Sequence, residues 1–204
     1  MRIRITFAKL GALRYTGHLD LHKLWERAVR RAELPLAYSR GFHPQPKMNI
    51  AAALPLGFSS RCEVLDMRLE HDIQLDGLRE KLQGTLPTGI QVTNVESIDE
   101  RAPTLQTQVL SAEYEVSLAE AGFEAEVKQK IGPVLESDSI IRTRRGKEYD
   151  LRPLIEALDL VDGKIFMRLA AREGATGRPE EVLDMLGIAF EDTCIERTRL
   201  IFQA

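Results

Sequence analysis

The sequence predicts an α+β protein made of two tandem ferredoxin-like (βαββαβ) domains with antiparallel sheets. Three observations carry that expectation. Segments that alternate apolar and polar residues are interleaved with segments whose apolar residues recur every third or fourth position. Their order, strand-helix-strand-strand-helix-strand, occurs twice within 204 residues. One helix-backed antiparallel sheet per half satisfies that order with short connections. The repeat lies in element order alone, because no residue-level similarity joins the halves.

Residues 2–9 place Ile3, Ile5 and Phe7 on one face and Arg2, Arg4 and Thr6 on the other, the pattern of a half-buried strand. From His18 to Ala32, Leu21, Leu24/Trp25, Ala28/Val29 and Ala32 mark the apolar side of a helix. Pro35 requires that helix to end just before it. Ser39–Lys47, with one Gly and two Pro, reads as a loop. Strands follow near Met48–Leu54 and Cys62–Leu69, separated by a Pro55–Ser60 turn. A short amphipathic helix over Leu75–Leu86 and a strand over Ile90–Ile98 complete the first domain, 1–98. Residues 99–111 read as a linker around Pro103, and 112–204 as the second domain. There, Ala112–Leu118 is a strand and Phe123–Leu135 a helix. Ser139–Arg144 and Lys164–Ala170 read as strands joined by an insertion that contains Asp150–Leu160. Pro179–Leu186 is a helix with proline in its first turn, and Phe190–Phe202 a long, bulged last strand.

Composition narrows the function classes. Apolar residues make up 44% and charged residues 29%, which fits a folded domain and excludes a disordered chain. No apolar run is long enough to span a membrane. The start, Met-Arg-Ile-Arg-Ile-Thr-Phe, alternates like a strand and lacks a signal peptide's apolar segment. A cytoplasmic location without a membrane partner is therefore expected. Two cysteines, Cys62 and Cys194, are too few for a disulfide framework or a cysteine-held iron–sulfur cluster.

The net charge of −3 conceals an asymmetry. Residues 1–61 hold eleven Lys/Arg and three Asp/Glu, a balance of +8, which leaves −11 for the rest. A basic front suits a polyanion, and an acidic back suits solvent or a protein partner. Within the front, Lys23, Arg27, Arg30 and Arg31 form a cationic stripe on the first helix, opposite its apolar face. Such a stripe can neutralise phosphates, and Glu26 and Glu33 offer the competing intrahelix pairing. In the loop that follows, Phe42 and His43, with Tyr38, offer rings for unpaired bases, and Arg40 and Lys47 offer charge for the backbone. The alternative for this loop is an ordinary turn with Phe42 buried. Arg144 and Arg145, in Arg142-Thr-Arg-Arg-Gly-Lys147, form a basic patch at an expected hairpin tip.

His18 and His22 are spaced to share a metal on one helix face, yet no third ligand is evident, so no metal and no cofactor are expected. A histidine acting in RNA cleavage is chemically possible, but no paired nucleophile or second base stands out. No phosphate-binding glycine loop or dinucleotide fingerprint occurs.

Several strings together resemble a known family: Arg14-Tyr-Thr-Gly-His-Leu-Asp20, Arg27-Ala-Val-Arg-Arg31, Tyr38-Ser-Arg-Gly-Phe-His-Pro-Gln-Pro-Lys47 and Leu54-Pro-Leu-Gly57. They are similar to the radical-SAM-linked proteins, a family of unknown function encoded beside, or fused to, a cobalamin-binding-type radical SAM protein. Gly146-Lys-Glu-Tyr-Asp-Leu-Arg-Pro153 is similar to that family's second-half signature, so the resemblance covers nearly the whole chain. It implies a radical SAM partner and, through gene neighbours, a connection to RNA. It supplies no catalytic residues. The expected function is an RNA-binding accessory subunit, without catalytic activity of its own, that presents tRNA or rRNA to that partner. Two rivals remain: a metal-independent RNA endonuclease of the CRISPR-processing type using His43 or His18, by analogy of fold alone, and an adaptor that binds protein.

Overall fold

Ile3, Ile5 and Phe7 have no exposed surface, and they set the first layer of the protein. They lie on β1 (Arg2–Lys9), the first element of a computed structural model that describes residues 1–118, 124–144 and 146–203. The chain divides into two units, Met1–Val109 and Leu110–Ala204. Its architecture is α+β with largely antiparallel strand pairing and, among the described residues, five α-helices. No helix among the described residues is long and apolar enough to cross a membrane.

In the first unit β1 is followed by α1 (His18–Arg31), β2 (Met48–Ile50), β3 (Ser59–Arg68), α2 (Leu78–Gln83), β4 (Ile90–Ile98) and α3 (Leu105–Gln108). The strands lie in the order β2-β3-β1-β4, each neighbour antiparallel. Leu21, Trp25 and Val29 of α1 and Ala32 at its C-terminal end pack with Ile3, Ile5, Phe7, Leu65, Met67 and Leu69 in one core. The Trp25 ring meets Phe7 edge-on, with centroids 4.8 Å apart. The periodicities of 3.6 and 2 thus point at each other across the layer boundary, as burial of both apolar faces requires.

Three expectations change here. The second strand is three residues long because the chain bends after Ile50, and the second helix covers only Leu78–Gln83. Arg2 is 5% exposed although it lies on the polar face of β1. The stretch read as a linker covers it: Arg2 donates to the carbonyls of Ala102 (2.6 Å) and Pro103 (2.9 Å). That stretch also forms α3, with Leu105 buried.

The second unit runs β5 (Val109–Leu118), α4 (Glu124–Glu136), β6 (Ile141–Arg144), β7 (Lys147–Asp150), β8 (Ile155–Val161), β9 (Lys164–Arg172), β10 (Ala175–Thr176), α5 (Pro179–Leu186) and β11 (Thr193–Phe202). β9 pairs antiparallel with β5, β8 and β10, and β11 lies beside β5. The strand that precedes β9 and pairs with it is therefore β8, within the segment read as an insertion, whereas Ser139–Arg144 contributes β6 of a separate β6–β7 pair. Ile155, Ala157, Leu158, Leu160 and Val161 are the apolar residues of β8, too weakly alternating to stand out in the sequence. Phe123, read as the start of the helix, lies outside the described residues.

Candidate nucleic-acid interface

The exposed side of α1 follows from its buried one. With Leu21, Trp25, Ala28 and Val29 inward, Lys23, Arg27, Arg30 and Arg31 are exposed. Arg30 donates to Glu26 (2.8 Å) one turn back, and Lys23 lies 3.9 Å from Asp20. Arg27 and Arg31 carry no ion pair among the described residues, nor do Arg40 and Lys47. The helix thus presents cations with solvent-facing heads and only weak local compensation.

The loop after α1 is closed by backbone geometry. Tyr38 and Pro46 form a β-bridge. The Ser39 N–H donates to the Gln45 carbonyl (2.8 Å), the Gln45 N–H to the Ser39 hydroxyl (2.9 Å), and the Lys47 N–H to the Ala37 carbonyl (2.8 Å). Residues 40–44 form the tip. Gly41 adopts φ +136°, a conformation open to glycine alone among the common residues, with no atom near its Cα that a side chain would strike. The tip carries Arg40, Phe42 and His43 into solvent, and Phe42 is 101% exposed. The alternative of a buried Phe42 is thereby set aside in favour of a displayed ring. A closed root and two prolines, Pro44 in the tip and Pro46 in the root, hold that ring out at reduced entropic cost to binding.

One contact joins loop and helix. The Tyr38 hydroxyl donates to Glu26 Oε1 (3.2 Å), the same oxygen that accepts from Arg30. Tyr38, and then Glu26, raise the Arg30 pKa above its ordinary value. Lys23, Arg27, Arg30, Arg31, Arg40, Phe42, His43 and Lys47 therefore belong to one unit, with the loop root fastened to the middle of the helix. The Glu26–Tyr38 tie was not legible in the sequence, where Glu26 is only an i,i+4 partner of Arg30.

A second aromatic–cation pair precedes the helix. The Arg14 guanidinium lies 4.8 Å from the Tyr15 ring centroid and donates to its hydroxyl (2.8 Å), and Tyr15 is 61% exposed. Gly57 N–H donates to the Arg14 carbonyl (2.9 Å), which brings exposed Leu56 to the same place.

The basic patch of the second unit is differently disposed. Arg144 donates to both carboxylate oxygens of Glu181 (3.2 Å) and stacks 5.0 Å from the Tyr149 ring. Arg142 pairs with Asp184, and the Tyr149 hydroxyl donates to Glu181. These contacts fasten the β6–β7 hairpin to α5. Burial, then the Glu181 carboxylate, push the Tyr149 hydroxyl up to about 12. Gly146 supplies the turn at φ +76°, and Arg145 lies outside the described residues. Asp150 accepts from the Ile140 N–H (2.7 Å) and the Arg152 N–H (3.0 Å), which together lower its pKa.

His18 and His22 stack edge to face at 5.3 Å. Burial, followed by the charge of His18, lowers the His22 pKa. Among the described residues no group of three His, Cys, Asp or Glu side chains converges as metal ligands do.

No curated protein matches the chain. A family model does, over residues 2–179, so the chain belongs to DUF2344, a family described as an uncharacterized protein conserved in bacteria.

Proposed function

We propose that this protein is an RNA-binding accessory subunit that presents unpaired RNA to a radical SAM partner. One observation carries the reading: Phe42 stands fully exposed on a backbone-closed tip, beside Arg40 and His43, fastened through Tyr38 to a cationic helix face. An exposed ring on a stiffened tip is a stacking platform, and the surrounding cations track a phosphate backbone. Lys23, Arg27, Arg30, Arg31, Arg40 and Lys47 hold phosphates, and Phe42 and His43 meet bases. Arg144 joins only by exchanging Glu181 for a phosphate, and Arg145 is named with it on sequence alone.

The radical SAM partner rests on the resemblance carried by the Gly41-Phe-His-Pro44 region and the other strings above. The acidic second unit is the proposed docking surface for it, and a cytoplasmic setting accompanies this reading. The strand orders β2-β3-β1-β4 and β8-β9-β5-β11 support reading both units as ferredoxin-like. Incubation of the pure protein with labelled tRNA and rRNA fragments tests the function. Retention of intact RNA is expected. Cleavage points instead to an endonuclease, and the absence of both effects to a protein adaptor.

A further inference from the structure

A cleft of about 320 Å³ opens in the first unit at the root of the loop. Its lining includes Arg2, Lys47, Asn49, Asp66, Arg68 and Thr104. Two of these are fixed inside the protein: Arg2 is 5% and Asp66 2% exposed. Asp66 accepts from Arg2 (2.7 Å) through one oxygen and from Arg4 (2.8 and 3.0 Å) through both. Its carboxylate already accepts three hydrogen bonds from two guanidinium groups, which offset its charge. Glu96, opposite Arg4 on β4, adds to the attraction that raises the Arg4 pKa.

The remaining charge in the lining is positive. Lys47 has no ion pair among the described residues. Arg68 pairs with Glu100 (2.8 Å), but both side chains are nearly half exposed, so an anion can displace that contact at little cost. A concave site with this balance concentrates anions. Its volume lies at the small end of ligand sites, too small for a large cofactor and adequate for one nucleotide. Asn49, exposed on β2, brings an amide that both donates and accepts, as recognition of a base edge requires.

We propose that this cleft seats one ribonucleotide monophosphate unit, with its phosphate against Lys47 and Arg68 and its base beside Asn49. The proposal deepens the RNA reading and rests on it for the source of the nucleotide. Pro46 lines the cleft and also bridges to Tyr38, so the cleft adjoins the root of the loop that carries Phe42.

The test is an amide-resolved NMR titration of the full chain with AMP, UMP, GMP, CMP, adenosine or inorganic phosphate, and separately with a short single-stranded RNA. At least one mononucleotide is expected to shift the Asn49, Arg68 and Thr104 amides. It should do so more tightly than phosphate or adenosine, and the RNA oligomer should displace it. Asn49→Ala, at an exposed position, should weaken that mononucleotide about 3- to 10-fold, the effect of one lost hydrogen-bonding side chain. Wild-type and variant must show the same melting curve. RNA binding that leaves the cleft amides unmoved overturns the cleft proposal and leaves the RNA reading intact. Equal binding of phosphate and every nucleotide, with Asn49→Ala silent, overturns it as well. Mononucleotide binding in the cleft without oligomer binding supports the site with a free nucleotide as its source, and ends the RNA reading.

Discussion

Replacing Arg27, Arg30 and Arg31 together by alanine should change how RNA binding responds to salt. Six exposed cations line α1 and its loop: Lys23, Arg27, Arg30, Arg31, Arg40 and Lys47. If each releases one counterion-bearing phosphate contact, log K falls with log salt at a slope of about −4 for a single strand. Affinity then drops about 300-fold between roughly 50 and 200 mM salt. The triple variant keeps three of the cations, so its slope becomes about −2 and its loss over the same interval about 20-fold. Arg30 gives up only a surface pair with Glu26 on substitution, so the expected slopes need no correction for a strong competing bond. Phe42→Ala should behave differently, with a loss of about 1–3 kcal/mol at every salt concentration and an unchanged slope. All four side chains are exposed, so melting should move little in either variant. Fluorescence anisotropy with a labelled single strand across a salt series measures both quantities. A triple variant with the wild-type slope, or a Phe42→Ala variant with a flattened one, refutes the assignment of charge to α1 and stacking to the loop.

Two further outcomes concern the scaffold. Trp25 is completely buried against Phe7, so Trp25→Ala should cost about 3–5 kcal/mol in urea unfolding. Trp25→Phe should cost less, because it keeps an aromatic ring in the core while it removes an Nε1–H that finds no partner among the described residues; a loss below about 1 kcal/mol for the alanine variant contradicts the core described. In the second unit, Tyr149 should ionise near pH 12 in the folded protein, with the resonance identified by Tyr149→Phe. Because the raised folded value favours the neutral hydroxyl, this contribution to stability is complete below the ordinary tyrosine value of 10.0 and is lost as pH climbs toward 12. Glu181→Gln should bring the transition down, and a native Tyr149 that ionises at the ordinary value rejects the hairpin-to-α5 contact.

Much of the fold was legible because periodicity reports which face of an element is apolar. β1, α1, β4 and α5 lie within a residue or so of their expected places, and the pairing of Ile3, Ile5 and Phe7 with Leu21, Trp25 and Val29 follows from matching two apolar faces. The exposed cations of α1 were legible for the same reason, as the complement of that buried stripe. β8 was not, since Ile155–Val161 alternates poorly and gains its identity from pairing with β9.

By itself, the sequence determined the alternation of strands and helices, the basic first unit, and the display of charge on α1, all properties of residues close along the chain. Tertiary structure alone decided which polar groups are used up. It buried Arg2 under Ala102 and Pro103, paired Asp66 with two guanidinium groups, engaged Arg144 with Glu181, and brought Tyr38 to Glu26. It also left Phe42 in solvent, although the same residue type fills the core at Phe7 and Phe58. The physical reason is that charge and hydrophobicity belong to a residue, whereas desolvation and pairing depend on distance in space, which neighbours in sequence do not report.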